Sequence, residues 1–117
     1  MQSHTIIGKS GERIAVSYLE QEGIVVLDRN FTFNHGEIDI VAKDGNELVF
    51  VEVKTRRSSH FGTPEEAVTP AKQALIRRTA EGYVREKNLS EVSCRFDVIA
   101  VRMEEGKYKV VHYKEAF

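Results

Sequence analysis

The stretch GEIDIVAKDGNELVFVEVKTR, residues 36–56, decides how this chain folds. Apolar residues alternate on either side of Asp44-Gly45-Asn46-Glu47, which reads as two strands closed by a tight turn. With Gly45-Asn46 as the two-residue loop, Asp39 lies across from Glu52, and Glu37 lies across from Lys54. Side chains alternate along a strand, so Asp39, Glu52 and Lys54 fall on one face together with Val41, Leu48 and Phe50. The other face is expected to carry Ile38, Ile40, Ala42, Val49, Val51 and Val53 as uninterrupted core. Both faces are therefore expected to be covered.

The facing acids are the unusual feature. Two carboxylates ~5 Å apart repel by about 3 kcal/mol at an effective dielectric of roughly 20. A sheet built for stability alone avoids that pairing. A divalent cation turns the repulsion into coordination, because a hard ion takes carboxylate and carbonyl oxygens. The alternative is an exposed ionic cluster at a sheet end. Against that, three acids face one lysine, and Lys54 points into the same pocket as Glu52, where its ammonium can stabilise charge on a phosphate.

Outward from the hairpin, residues 8–22 (GKSGERIAVSYLEQE) read as a helix with Ala15, Val16 and Leu19 as its apolar stripe and Gly23 as its stop. Glu12 shares that stripe and so faces the sheet; the competing role is a first-turn acid favoured by the helix dipole. Residues 24–31 read as a strand, and Asn34-His35-Gly36 as a turn. Thr63-Pro64-Glu65-Glu66 has capping-box spacing, and Thr69-Pro70 opens a main helix over 70–88 buried through Ile76, Ala80, Tyr83 and Val84. Two more strands follow, with Glu105-Gly106 turning between them. The order α-β-β-β-α-β-β predicts an α/β domain with a mixed five-stranded sheet flanked by helices.

At 117 residues the chain is expected to form one domain over 1–117. Charged residues make up 30% and hydrophobic residues 41%, an ordinary globular balance, and no apolar run is long enough to cross a bilayer. A single cysteine, Cys94, and the lack of a leader-like N-terminus point to the cytoplasm. The net charge of −1 excludes a protein that coats nucleic acid by bulk charge, so any such role rests on local patches. His4, His35, His60 and His112 lack zinc-ligand spacing, and neither a glycine-rich phosphate loop nor a helix–turn–helix signature is present.

Asp39, twelve intervening residues and then Glu52-Val53-Lys54 resembles the signature of the PD-(D/E)xK nuclease superfamily, with Ile38 where that signature has proline. More closely, GERIAVSYLEQEG, RNF, GEIDIVA, FVEVKTR, FGTPEEAV, RFDVIAV and the closing AF resemble the bacterial YraN-like family across nearly the whole chain. The resemblance implies a restriction endonuclease-like fold, related to Holliday-junction resolvases. It implies Asp39 and Glu52 as ligands to Mg²⁺ or Mn²⁺ with the Val53 carbonyl, Lys54 orienting water or stabilising charge, and Glu12 completing the acidic pocket. The helix after the E-x-K strand borders the site in that superfamily, which brings in Lys72 and Gln73 as nucleic-acid contacts.

Arg56 and Arg57, just past the catalytic strand, are expected to clamp phosphate, the competing reading being a solvated basic loop. Glu37 is expected to support the site from behind or to pair with Lys54, while Arg95 and Asp97 either serve the site or pair with each other. The function expected is a metal-dependent endonuclease acting on DNA, selective for branched structures and working as a homodimer. The alternative is a catalytically silent nucleic-acid-binding or assembly module that kept the nuclease fold.

Overall fold

The computed structural model describes residues 2–56 and 68–117, the side chains of residues 2–9 and 104 excepted. Its elements are α1 (Gln2–Gln21), β1 (Val25–Phe33), β2 (Gly36–Asp44), β3 (Glu47–Arg56), α2 (Pro70–Glu86), β4 (Ser93–Glu104) and β5 (Lys107–Tyr113). This is the expected order, with α1 starting earlier and β1 running further than the sequence patterns indicated. The capping-box segment Thr63–Glu66 and Arg57 lie outside the described residues.

Local chemistry sets the boundaries. Gly23, at φ +81°, ends α1 in a Schellman motif: its N–H donates to Glu20, that of Ile24 donates to Leu19, and buried Ile24 seals the turn. Asn88 (φ +55°) ends α2 in the same way, with Leu89 N–H donating to Val84. The α2 start is capped by Thr69, whose Oγ1 accepts from Lys72 N–H at 3.2 Å, and Pro70 occupies the first helical position. The loops Asn34-His35 and Glu105-Gly106 each have two positive φ values, the geometry that matches the twist of a two-residue hairpin.

The strands form one sheet in the order β1-β2-β3-β4-β5. Every neighbouring pair is antiparallel except β3–β4, which is parallel because α2 carries the chain back between them. The β2–β3 register is the one expected from the turn: Ile40 pairs with Val51, Ala42 with Val49 and Asp44 with Glu47.

The helices cover opposite faces. On the α1 side, Ala15, Leu19 and Ile24 meet Ile40, Ala42, Val49, Val51, Ile99 and Val101. On the α2 side, Ile76, Ala80 and Tyr83 meet Val41, Leu48, Phe50, Val68 and Val98. One expectation fails here. Ile38 sits in the α2 layer with Val41, not in the α1 layer with Ile40. Strict alternation along β2 therefore breaks between Ile38 and Ile40, at Asp39. The pairing partner explains it, because beyond Ile40 the recorded ladder of β2 is with β1 alone.

Gly11 fixes how closely α1 approaches β3. A Cβ there would collide with Thr55 Oγ1 and lie 3.2 Å from Thr55 Cβ. Gly11→Ala is expected to cost about 1–3 kcal/mol through overpacking, read as a lower melting temperature.

Candidate active site

The site lies where β2 parts from β3. Past the Ile40–Val51 pair these strands exchange no further ladder bonds, and Asp39 fills the opening with its side chain. Its Oδ2 accepts from the Val53 N–H at 2.8 Å, so a carboxylate takes the place of a strand partner. Burial pushes the Asp39 carboxyl up to about 7, the nearby charge of Glu52 adds to that, the Val53 N–H opposes it, and Glu12 and Glu37 push the same way. An acid held half-deprotonated at neutral pH, first by burial and then by a neighbouring acid, marks a functional-site candidate.

Glu52 is 7% exposed and points to the α2 side of the sheet. Two ammonium groups meet its Oε2, Lys54 Nζ at 3.6 Å and Lys72 Nζ at 3.6 Å. Lys54 lies two residues further along β3, on the same face. Lys72 comes from the first turn of α2, which Thr69 and Pro70 hold in place. Glu12, from α1, accepts from Asn30 Nδ2 at 3.1 Å and 3.4 Å, with Arg29 Nη2 at 3.9 Å.

Of the expected site residues, Asp39, Glu52 and Lys54 gather at one sheet end, with Glu12 in electrostatic reach of Asp39. Glu37 is exposed and pairs with Thr32 in the β1–β2 ladder; the ammonium of Lys54 goes to Glu52 instead. The Gln73 amide donates to the Val68 carbonyl at 2.9 Å, supporting the start of α2. Arg56 turns its Nη1 to the Thr55 carbonyl at 3.1 Å. Asn30 carried no expected role, although an asparagine amid strand formers is a recognisable irregularity.

A second ionic cluster lies on the α1 face. Asp97, fully buried, accepts from Arg95 Nε at 2.9 Å and Nη2 at 3.0 Å, and from Glu115 N–H at 3.1 Å. His112 Nε2 meets its Oδ2 at 2.7 Å, and His112 Nδ1 meets the Tyr18 hydroxyl at 3.0 Å. Arg95 also reaches Asp44 at 3.1 Å and Glu47 at 3.0 Å, clasping the β2–β3 turn. Burial alone would raise the Asp97 carboxyl, but the bonds from His112 and Arg95 outweigh it and hold it below the usual range. Arg95 and Asp97 thus pair with each other, which answers the choice left open by the sequence.

No described helix is long and apolar enough to cross a membrane. The sequence profile described as "Uncharacterised protein family UPF0102" matches residues 11–101, a span from Gly11 into β4 that includes Glu12, Asp39, Glu52, Lys54 and Lys72. A UPF0102 protein of Flavobacterium psychrophilum is 43% identical over 117 residues, covering 100% of this chain and 98% of its own. Relatives of the same description from Syntrophotalea carbinolica and Alkaliphilus oremlandii are each 48% identical, covering 95% of this chain and 90% and 97% of their own. The chain therefore belongs to UPF0102, the YraN-like family that its motifs resembled.

Proposed function

We propose that this protein is a metal-dependent endonuclease of the PD-(D/E)xK type that cleaves DNA in the cytoplasm, selectively at branched structures. The observation that carries the proposal is the confinement of Asp39 beside Glu52, with the Asp39 carboxyl raised to about 7. Lys54 and Lys72 offset the charge of Glu52, whereas a cation or a proton would relieve that of Asp39.

The donor chemistry fits Mg²⁺ or Mn²⁺. Both side chains offer hard oxygens, and Mg²⁺ takes one or two protein carboxylates and completes its shell with water and substrate phosphate. Among the described residues no group of three or more His, Cys, Asp or Glu is placed to hold an ion, and Asp39 and Glu52 would supply two carboxylate ligands. The Val53 carbonyl fits as a further donor. In an extended strand a residue's N–H and C=O point to the same side, and the Val53 N–H points at Asp39.

A bound ion supplies charge for the phosphate oxygens and a water acidified for attack. The protein's own groups do the rest. Asp39 gives up its proton from the carboxyl, so metal affinity is expected to rise with pH through about 7. Lys54 and Lys72, neighbours of Glu52, turn their ammonium groups to the scissile phosphate and its flank. Arg56, at the end of β3, and Arg57 would contact the next phosphate. A second copy of the chain would grip a second DNA arm, and light scattering is expected to give the mass of a homodimer.

The test is cleavage of labelled duplex, nicked, flap and four-way-junction DNA with Mg²⁺ or Mn²⁺. Junction DNA is expected to be cut, and Lys54→Ala is expected to slow cutting by about 10²–10³-fold with the fold intact. No cutting of any substrate, or equal cutting by Lys54→Ala, overturns the proposal. One observation favours a silent binding module: the two lysines at 3.6 Å already neutralise Glu52 from within. That reading predicts a gel shift on DNA without cleavage, unchanged by Asp39→Asn.

A further inference from the structure

β1 contains one residue that a regular strand would not use. Asn30 has φ +53°, and among the described residues it is the only non-glycine inside a strand with positive φ. A left-handed backbone costs every L-residue energy, and asparagine pays least among those with a side chain. The location is informative. Arg29 pairs with Ile40 and Phe31 with Ile38, so Asn30 stands across from Asp39, at the point where β2 leaves β3.

The side chain completes the pattern. Asn30 Nδ2 donates to both carboxylate oxygens of Glu12, at 3.1 Å and 3.4 Å, and Arg29 Nη2 supports Oε1 from 3.9 Å. Glu12 belongs to α1, whereas Asn30 belongs to an edge strand, so this contact ties the helix acid to the sheet beside Asp39. A hydrogen bond from an exposed amide to a half-buried carboxylate contributes modestly to folding, since water competes for the amide. A strained backbone held for such a bond points to geometry as its purpose.

We infer that Asn30 is a positioning residue: its left-handed backbone aims its amide at Glu12 and holds that carboxylate in place beside Asp39. The inference rests on the proposed endonuclease site and names a residue that tunes it from outside. Glycine keeps the backbone conformation and removes the donor, which separates the two roles of Asn30.

The experiment compares wild type and Asn30→Gly in three ways: thermal melting, Mn²⁺ titration by calorimetry at pH 8, and crystal structures without metal. Melting is expected to stay within a few degrees of wild type. The Glu12 carboxylate is expected to leave its place, and Mn²⁺ affinity to fall by about 10–100-fold, the usual effect of removing a group that orients a metal site. Cleavage is expected to lose kcat while KM for DNA holds. Glu12 unmoved in Asn30→Gly, or Mn²⁺ affinity equal to wild type, overturns the inference. Should wild type bind no Mn²⁺, the endonuclease reading falls and the crystal structures alone decide: Glu12 displaced upholds the positioning role, and Glu12 in place overturns it.

Discussion

Asp39→Asn is expected to abolish DNA cleavage and, at pH 8, to raise the melting temperature. Both follow from one confined charge. The Asp39 carboxyl is raised from 3.8 to about 7 in the folded protein, first by burial and then by Glu52. Between those pH values the folded state holds a proton that the unfolded chain has released, so stability falls as pH rises from about 4 to 7. Above pH 7 the folded protein carries the full penalty, up to about 4 kcal/mol at 1.36 kcal/mol per pH unit. Asparagine removes that charge and keeps an oxygen to accept from the Val53 N–H.

The gain from Asp39→Asn is therefore expected at pH 8 and absent at pH 4, where wild-type Asp39 is already protonated in the fold. Cleavage is expected to fall at least about 10³-fold, because charge stabilisation at the phosphate loses one of its anchors. Mn²⁺ is expected to raise the melting temperature of wild type at pH 8 by mass action, and to leave Asp39→Asn unmoved. Denaturation curves at the two pH values, with and without metal, check all of this. A variant that is less stable at pH 8 would contradict the electrostatic account.

Asp97→Ala is expected to have the opposite profile. It strands the Arg95 guanidinium, 9% exposed, without its bidentate partner and leaves His112 and the Glu115 N–H without their acceptor. Breaking a buried ion pair from one side costs about 3–5 kcal/mol. That corresponds to a melting temperature lower by roughly 10–20 °C in a domain of this size. Cleavage by the folded fraction is expected to persist, because the cluster lies on the α1 face while Glu52 and Lys54 point to the other.

The pH dependence of the two acids also differs in sign. Burial raises the Asp97 carboxyl, but His112 and Arg95 lower it further, so its folded value lies below the unfolded one. Its contribution is present above about pH 4 and is lost as pH falls through the folded value. Acid titration of wild type should therefore show cooperative loss below pH 4, and Asp97→Ala should lack that step. An unchanged acid limb would show that the network does not hold the fold.

Much of the site could be read from the hairpin. The turn residues Gly45-Asn46 set the register, and alternation put Lys54 on the same side as Glu52. These are local consequences of alternation and loop length, and a single strand pair carries them. The ladder ends at Ile40–Val51, however, so Asp39 bonds the Val53 N–H through its side chain and is not a ladder partner of Glu52. Ile38 was misplaced for the same reason. Alternation holds only while a strand keeps its partner, and β2 loses β3 just past Ile40. Nothing in the residues 36–56 states where that pairing ends.

Sequence by itself determined the element order, the helix and strand ends written in Gly23, Thr69-Pro70 and the turn residues, and the family. Each is encoded within a few residues of where it acts. Tertiary structure decided the rest: Lys72 on Glu52, Asn30 on Glu12, and Arg95 closed around Asp97 with His112 and Tyr18 behind it. Those contacts join residues far apart in the chain, and their energies depend on burial. Residue spacing does not report how much water a side chain has lost or which donors replace it: burial raises both carboxyls, and only Asp97 has the His112 and Arg95 bonds that bring it back down.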